Sequence, residues 1–191
     1  MQNTKQLLAL DNRSKALRHE LELKRRGFRL LSKLSVSLRH GEDYTDMLTR
    51  IAQRINISLY MQKTIVLLRS EEELDLFENV VLQGFTAKEF DLLNKSHTNI
   101  PPELLEPTPV LVTAENSPEY FGTVRKLYGL AYFIASPIIL QGKVYGLIIT
   151  GRMAEQPPLL GRLGQSDVET IHAITELLSS VLVYREITSF Q

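Results

Sequence analysis

LAYFIASPIILQGKVYGLIITGR, residues Leu130–Arg152, decides the fold. Two runs rich in β-branched and aromatic residues, Leu130–Leu140 and Lys143–Arg152, are joined by Gln141-Gly142, a two-residue hairpin signal. Both runs are apolar almost throughout, so each strand must be covered on both faces. A hairpin of that kind belongs in the middle of an antiparallel sheet with helices above and below it. Pro137 suits a place where the strand shifts register or lies at an edge, and Gly146 a place where another group packs close.

Reading back toward the N-terminus, Val110–Val112 is a short strand, and a helix opens at Ser117-Pro118 and runs to Leu127, stopped by Gly129. Residues 95–109, with Pro101, Pro102, Pro107 and Pro109, read as the least ordered part. Thr86–Asn94 is a short helix with Thr86 and Glu89 spaced as a capping box. Lys63–Arg69 and Asp75–Phe85 read as strands separated by the acidic turn Ser70–Glu73. Tyr44–Ile55 is a helix with Asp43 as N-cap and Tyr44, Met47, Leu48, Ile51 and Ile55 on one face. Before it, a leucine stripe (Leu17, Leu21, Phe28, Leu31, Leu38) marks a helix over Ser14–Leu38, with Lys24 and Gly27 interrupting the seam. Beyond the hairpin, a helix capped by Ser166 runs to about Glu186, with Val168, Ile171, Ile174, Leu178 and Val181 as its stripe. The class is α+β: an antiparallel sheet of five to six strands, terminal helices on one face and inserted helices on the other.

The 191 residues, 43% apolar and 23% charged, suffice for one core, and 22 basic residues balance 22 acidic ones. The balance is uneven along the chain. Nine bases against two acids (Glu20, Glu22) lie between Arg13 and Arg39, so residues 1–40 read as a separate lead-in helix and residues 41–191 as the domain, its exit helix starting near 166. With no cysteine there is no disulfide, zinc–thiolate site or thiolate nucleophile. With no cysteine and no apolar stretch long enough for a signal peptide or a membrane span, the chain is expected to be cytoplasmic.

Ala135-Ser136-Pro137-Ile138 and Gly142-Lys143-Val144-Tyr145-Gly146-Leu147-Ile148-Ile149 resemble, in order and spacing, the central hairpin of GAF domains. Leu82-Gln83-Gly84-Phe85 looks like the family's strand before its first inserted helix, and Gln165-Ser166-Asp167 like the opening of its closing helix. The resemblance covers about residues 42–184. It implies a GAF-like sheet and a regulatory, small-molecule-sensing module of a bacterial-type signal-transduction protein, passing ligand state through its terminal helices to an output domain. The alternative is a ligand-free scaffold for dimerisation or partner docking. The Asn-Lys-Phe-Asp-Glu pattern of cyclic-nucleotide-binding relatives is missing, and so is the cysteine of the bilin-attaching and methionine-sulfoxide-reducing ones.

No catalytic constellation is legible: there is no Gly-x-Ser-x-Gly and no phosphate loop, and the chain is expected not to be an enzyme. Aromatic residues between Asn116 and Tyr132 point instead to a ligand pocket. Tyr120, Phe121, Val124 and Tyr128 share a helical face, and Tyr132, Ile134 and Ser136 one side of the following strand; if the two face each other they enclose a cavity. The plainer reading is that the rings fill the core. His97, in a segment that lines the pocket in GAF domains, is the one histidine placed to meet a haem or metal, against its plain reading as a surface loop residue; no cofactor is expected. The striped terminal helices, through Leu17, Leu21, Phe28, Leu31 and Leu38 and through Ile171, Ile174, Leu178 and Val181, are expected to form a homodimer as a four-helix bundle. No nucleic acid partner is expected, and a membrane surface only if the chain is part of a larger receptor.

Overall fold

The computed structural model describes residues 2–37, 43–70, 76–94, 97–113, 121–153 and 162–189, with side chains at all of these except 2–9, 37, 97 and 184–189. The helices are α1 (Gln2–Ser37), α2 (Tyr44–Leu59), α3 (Ala87–Leu93), α4 (Gly122–Tyr128) and α5 (Gln165–Ser189). The strands are β1 (Lys63–Arg69), β2 (Phe77–Gln83), β3 (His97–Thr98), β4 (Val110–Val112), β5 (Tyr132–Leu140) and β6 (Lys143–Arg152). They form one antiparallel sheet in the order β3-β2-β1-β6-β5-β4.

The β5–β6 hairpin turns as its sequence requires. Gln141 and Gly142 both have positive φ (50° and 77°), the backbone of a type I′ turn, in which glycine carries no steric cost. Ile138 faces Gly146 but Ile139 faces Val144, so Tyr145 is the extra residue of a bulge one step from Pro137. β4 covers β5 only at Phe133–Ala135. Pro137 therefore sits at an open edge where its missing N–H costs nothing, and the Ile139 N–H beyond it is taken by Ser179 Oγ at 3.0 Å. At Gly146 a Cβ would lie 2.7 Å from Leu68 Cδ2, so the close approach expected there is real.

The sheet separates two cores. On the rear face, α1, α2 and α5 bury Leu30, Leu34, Met47, Ile51, Ile55, Ile171, Ile174 and Leu178 against Val66, Ile134, Ile138 and Ile148. On the front face, α3, α4 and a 3-10 turn at Pro102–Leu104 cover Ile65, Leu67, Phe77, Phe133, Leu147 and Ile149. Local caps behave as expected at two helices. Asp43 Oδ2 accepts from Thr45 N–H at 2.9 Å, and Thr86 and Glu89 exchange both bonds of a capping box.

Several expectations are corrected. α1 starts at Gln2 rather than Ser14, because residues 2–13 hold no proline or glycine to stop it. α4 begins at Gly122, and the expected Ser117 cap lies outside the described residues. The two-residue strand β3 sits inside the stretch read as the least ordered part. Ser166 is within α5, not at its cap: Gly164 offers its carbonyl to Asp167 and Val168, while the Asp167 carboxylate takes the Gly164 N–H at 3.0 Å. The boundary placed at residue 40 falls between α1 and α2, yet Leu30 and Leu34 at the end of α1 belong to the rear core.

Candidate functional site

The front face carries the rings of Phe77, Phe85, Phe121, Tyr128 and Phe133 and a small polar set, Lys63, Asn79 and Thr98. Strand alternation sends Phe77 and Asn79 of β2, Lys63 of β1 and Phe133 of β5 toward α3 and α4. α4 presents Phe121, just before its first turn, and Val124 and Tyr128 to this face, all buried. Phe121 meets Phe133 edge to face at 6.0 Å between centroids, and Tyr128 meets Phe85 likewise at 6.3 Å.

Tyr128 is the centre of a buried polar network. Its hydroxyl donates to Asn79 Oδ1 at 2.9 Å and lies 3.2 Å from Thr98 Oγ1. Asn79 Nδ2 in turn donates to Leu93 O, the last carbonyl of α3, at 2.9 Å. Burial pushes the Tyr128 hydroxyl up to about 12, so it stays protonated and keeps its donor role. The Tyr128 carbonyl accepts from Lys63 Nζ at 3.0 Å, and the same ammonium pairs with Glu89 Oε1 at 2.8 Å. Its hydrogen bond, with those from the Thr86 backbone and hydroxyl, holds the Glu89 carboxyl at about 2.

Of the expected pocket, Phe121, Val124 and Tyr128 come together here, while Tyr120 and the His97 side chain lie outside the described residues. The His97 backbone pairs with Glu78 at the sheet edge. Tyr132, Ile134 and Ser136 do share a strand face, but it is the rear one: Ile134 is in the rear core, Tyr132 packs against it, and Ser136 Oγ meets Thr175 of α5 at 2.9 Å. Because β5 is apolar on both sides, alternation showed which residues share a face but not which layer covers them. The front of β5 is Phe133 and Ala135. Sequence reading also missed Asn79, a polar residue inside the apolar run of β2, Lys63 at the start of β1, and Thr98, in the segment 95–109 read as the least ordered part.

The dimer stripes divide in the same way. Ile171, Ile174 and Leu178 are wholly buried in their own rear core, so they cannot face a second copy. Val181 and Leu31 are half-buried against that core, and Leu38 lies outside the described residues. Leu10, Leu17, Leu21 and Phe28 of α1 point away from the body and remain 63, 57, 52 and 73% exposed. Leu10, Leu17 and Leu21, with Arg13, Ser14 and Arg18, line a shallow groove along the helix.

A serine–histidine–acid succession does exist on α5 and β5. Ser136 Oγ lies 3.5 Å from His172 Nδ1, and His172 Nε2 3.7 Å from Glu176 Oε1. Ser136 is completely buried and engaged with Thr175, so no carbonyl substrate can reach it as a nucleophile would require. Among the described residues no cluster of three His, Asp or Glu is placed to hold a metal, and no helix is long and apolar enough to cross a membrane.

This arrangement of sheet, rear helices and inserted front helices is the GAF fold. It superposes on the GAF domain of a phosphoenolpyruvate-protein phosphotransferase from Coxiella burnetii with a TM-score of 0.69, at 13% identity, covering 88% of this chain and 99% of that one. The phycoerythrobilin-bound GAF domain of a cyanobacterial phytochrome gives 0.68 at 10% identity, covering 86% and 98%. The GAF domain of a protein described as a sensor histidine kinase from Pseudomonas syringae pv. tomato gives 0.61 at 15% identity, covering 91% and 97%. No protein-family model and no curated protein matches the sequence.

Proposed function

We propose that this chain is a cytoplasmic regulatory sensor rather than an enzyme. A small molecule binds on the front face beneath α3 and α4, and the change passes through the terminal helices to an output domain. The observation that carries this reading is the buried polar set of Asn79, Thr98 and Tyr128 under two helices of seven residues each. A few fixed polar groups among aromatic walls are what a small-molecule site offers, and short helices are a cover that can shift. The phosphotransferase, phytochrome and kinase neighbours are consistent with it. Thermal melting against a metabolite library tests the reading. A ligand raises the melting temperature in proportion to the logarithm of its concentration, and Tyr128→Phe reduces that rise. A library that leaves the wild type unmoved favours the second reading, a ligand-free dimerisation or docking scaffold, which the mutual packing of Phe121, Phe133 and Tyr128 supports.

The outward stripe of α1 is where a second copy docks. Leu10, Leu17, Leu21 and Phe28 follow steps of seven, four and seven, the spacing of a coiled-coil seam, and an isolated helix has no reason to keep them in water. Light scattering at micromolar concentration is expected to show a dimer, and Leu17→Glu with Leu21→Glu a folded monomer. A wild-type monomer at that concentration removes the dimer from the proposal. No cofactor is needed by this reading, and no nucleic acid.

A further inference from the structure

The end of the sheet where β1 begins and β6 finishes carries two buried cations on opposite faces. Lys63, the first residue of β1, is 2% exposed and reaches the front layer. Its Nζ holds Glu89 in the first turn of α3 and the carbonyl of Tyr128, the last residue of α4, and stands 4.4 Å from the centroid of the Phe85 ring. Each contact matches a helix end, a carboxylate at the positive N-terminus and a cation at the negative C-terminus. Arg152, the last residue of β6, is buried behind the sheet. It donates to Tyr60 O at 3.2 Å and Leu59 O at 3.4 Å, closing the C-terminus of α2. Asp167 in the first turn of α5 feels its charge, and the Tyr60 ring carries the guanidinium of Arg26 from α1 at 5.0 Å.

One rung of the sheet separates the two. Lys63 pairs with Gly151, the neighbour of Arg152, and the Gln62 N–H donates to Gly151 O at 2.9 Å. Gly151 has no slack: a Cβ there would overlap the Tyr132 carbonyl and lie 2.7 Å from Phe133 Cβ, and Phe133 in turn packs on Phe121 at the start of α4. Hydrogen-bonded strands in a close-packed interior cannot move one residue without moving its partner.

We propose that this rung couples the two layers: Lys63, Gly151 and Arg152 transmit a displacement of the cover helices α3 and α4 to the place where α1 and α5 meet. The proposal rests on the sensor reading and supplies its route of transmission. Both layers are tied to the same sheet end by buried charge, whereas the β5–β6 turn at the other end is tied to neither by a charged group among the described residues. A ligand that loosens or tightens the cover therefore changes how firmly α1 is held.

Amide hydrogen exchange on the full chain, without ligand, tests it with Lys63→Met, Glu89→Gln and Arg152→Met. In Lys63→Met, exchange is expected to rise about tenfold in α3 and α4 and several-fold at residues 166–172 of α5 and 25–30 of α1, with residues 144–148 unchanged. Glu89→Gln gives the same pattern more weakly, and Arg152→Met reaches back into α3 and α4. A response confined to the layer that carries the substitution overturns the proposal, as does equal acceleration at residues 144–148, which marks general loosening. If Lys63→Met does not fold, Glu89→Gln, at a half-exposed position, decides by the same criteria. Because no ligand enters the experiment, its outcome is separate from the metabolite screen: a silent screen sinks the sensor and leaves the link, and a confined response does the reverse.

Discussion

The rear and front faces of the one sheet rely to different degrees on buried area and on directional bonds. Behind it, α1, α2 and α5, of 36, 16 and 25 residues, lay long aliphatic stripes on Val66, Ile134, Ile138 and Ile148. In front, α3 and α4 are seven residues each, too short to persist as helices without tertiary support. They are fastened at their ends by aromatic edges and by polar bonds that converge on Tyr128 and Lys63. Area makes the rear face a permanent floor. A few directional bonds make the front a cover whose attachments can be removed one at a time.

The largest effects are therefore expected behind the sheet. Ile174→Ala empties a fully buried position between α5 and the strands, and costs about 2–5 kcal/mol through lost transfer energy and the cavity left behind. Urea denaturation should show one cooperative transition at a lower midpoint, since the rear core is common to everything built on it. In front, Tyr128→Phe keeps the ring and deletes the hydroxyl, leaving Asn79 Oδ1 and Thr98 Oγ1 short of a partner. The expected loss is about 1–3 kcal/mol, with exchange accelerated in α3 and α4 more than in α5. If Tyr128→Phe matched Ile174→Ala in cost and spread evenly over both layers, the distinction between floor and cover would fail.

What could be read from the sequence follows the same division between local and distant causes. The Gln141-Gly142 turn, the Asp43 cap and the Thr86–Glu89 box rest on neighbours within three residues, and all three stand in the structure. The antiparallel sheet and the two helical layers followed from runs of apolar residues that had to be covered on both sides, whereas the strand order β3-β2-β1-β6-β5-β4 did not. The pocket was legible in part: Phe121, Val124 and Tyr128 meet on the front, but Tyr132, Ile134 and Ser136 lie behind. Nothing local distinguishes the two sides of β5, and only the distant Thr175 hydroxyl shows where Ser136 points. Lys63 was legible only as the first residue of a strand, because its partners, Glu89 and Tyr128, are 26 and 65 residues away. The stripe of α5 was visible, but not that it turns inward.

Gly27 shows the same limit and gives a third, smaller test. Read alone it interrupts a leucine seam; in the fold it is where α1 crosses α5, and a Cβ there would overlap Thr170 Oγ1 and lie 3.1 Å from its Cγ2. Alanine brings a helix-propensity gain of about 1 kcal/mol, so the overlap must exceed that to be felt. Gly27→Ala is expected to lose about 1 kcal/mol net, and adding Thr170→Ala to recover most of it. Strictly additive urea midpoints would mean that the two helices do not meet tightly there.

The smallest effect concerns the charge that fastens the cover. Lys63 and Thr86 hold the Glu89 carboxyl at about 2 instead of 4.5. A carboxyl whose value is lower in the folded chain contributes stability that is complete above the unfolded value and drains away as pH falls toward the folded one. The window is therefore roughly pH 4.5 to 2, and neutral pH lies wholly on the stable side. The Glu89 side chain is 40% exposed, so solvent screening reduces the contribution to about 1 kcal/mol, well under what the shift alone would suggest. The unfolding free energy from urea titrations between pH 5 and 2.5 should fall by about that much more in the wild type than in Glu89→Gln, which has no carboxyl to protonate there. Exchange in α3 should accelerate over the same interval before α5 responds. Parallel acid profiles for the two proteins would show that the Lys63–Glu89 pair does not fasten the cover, leaving Tyr128 as the bond on which α3 and α4 depend.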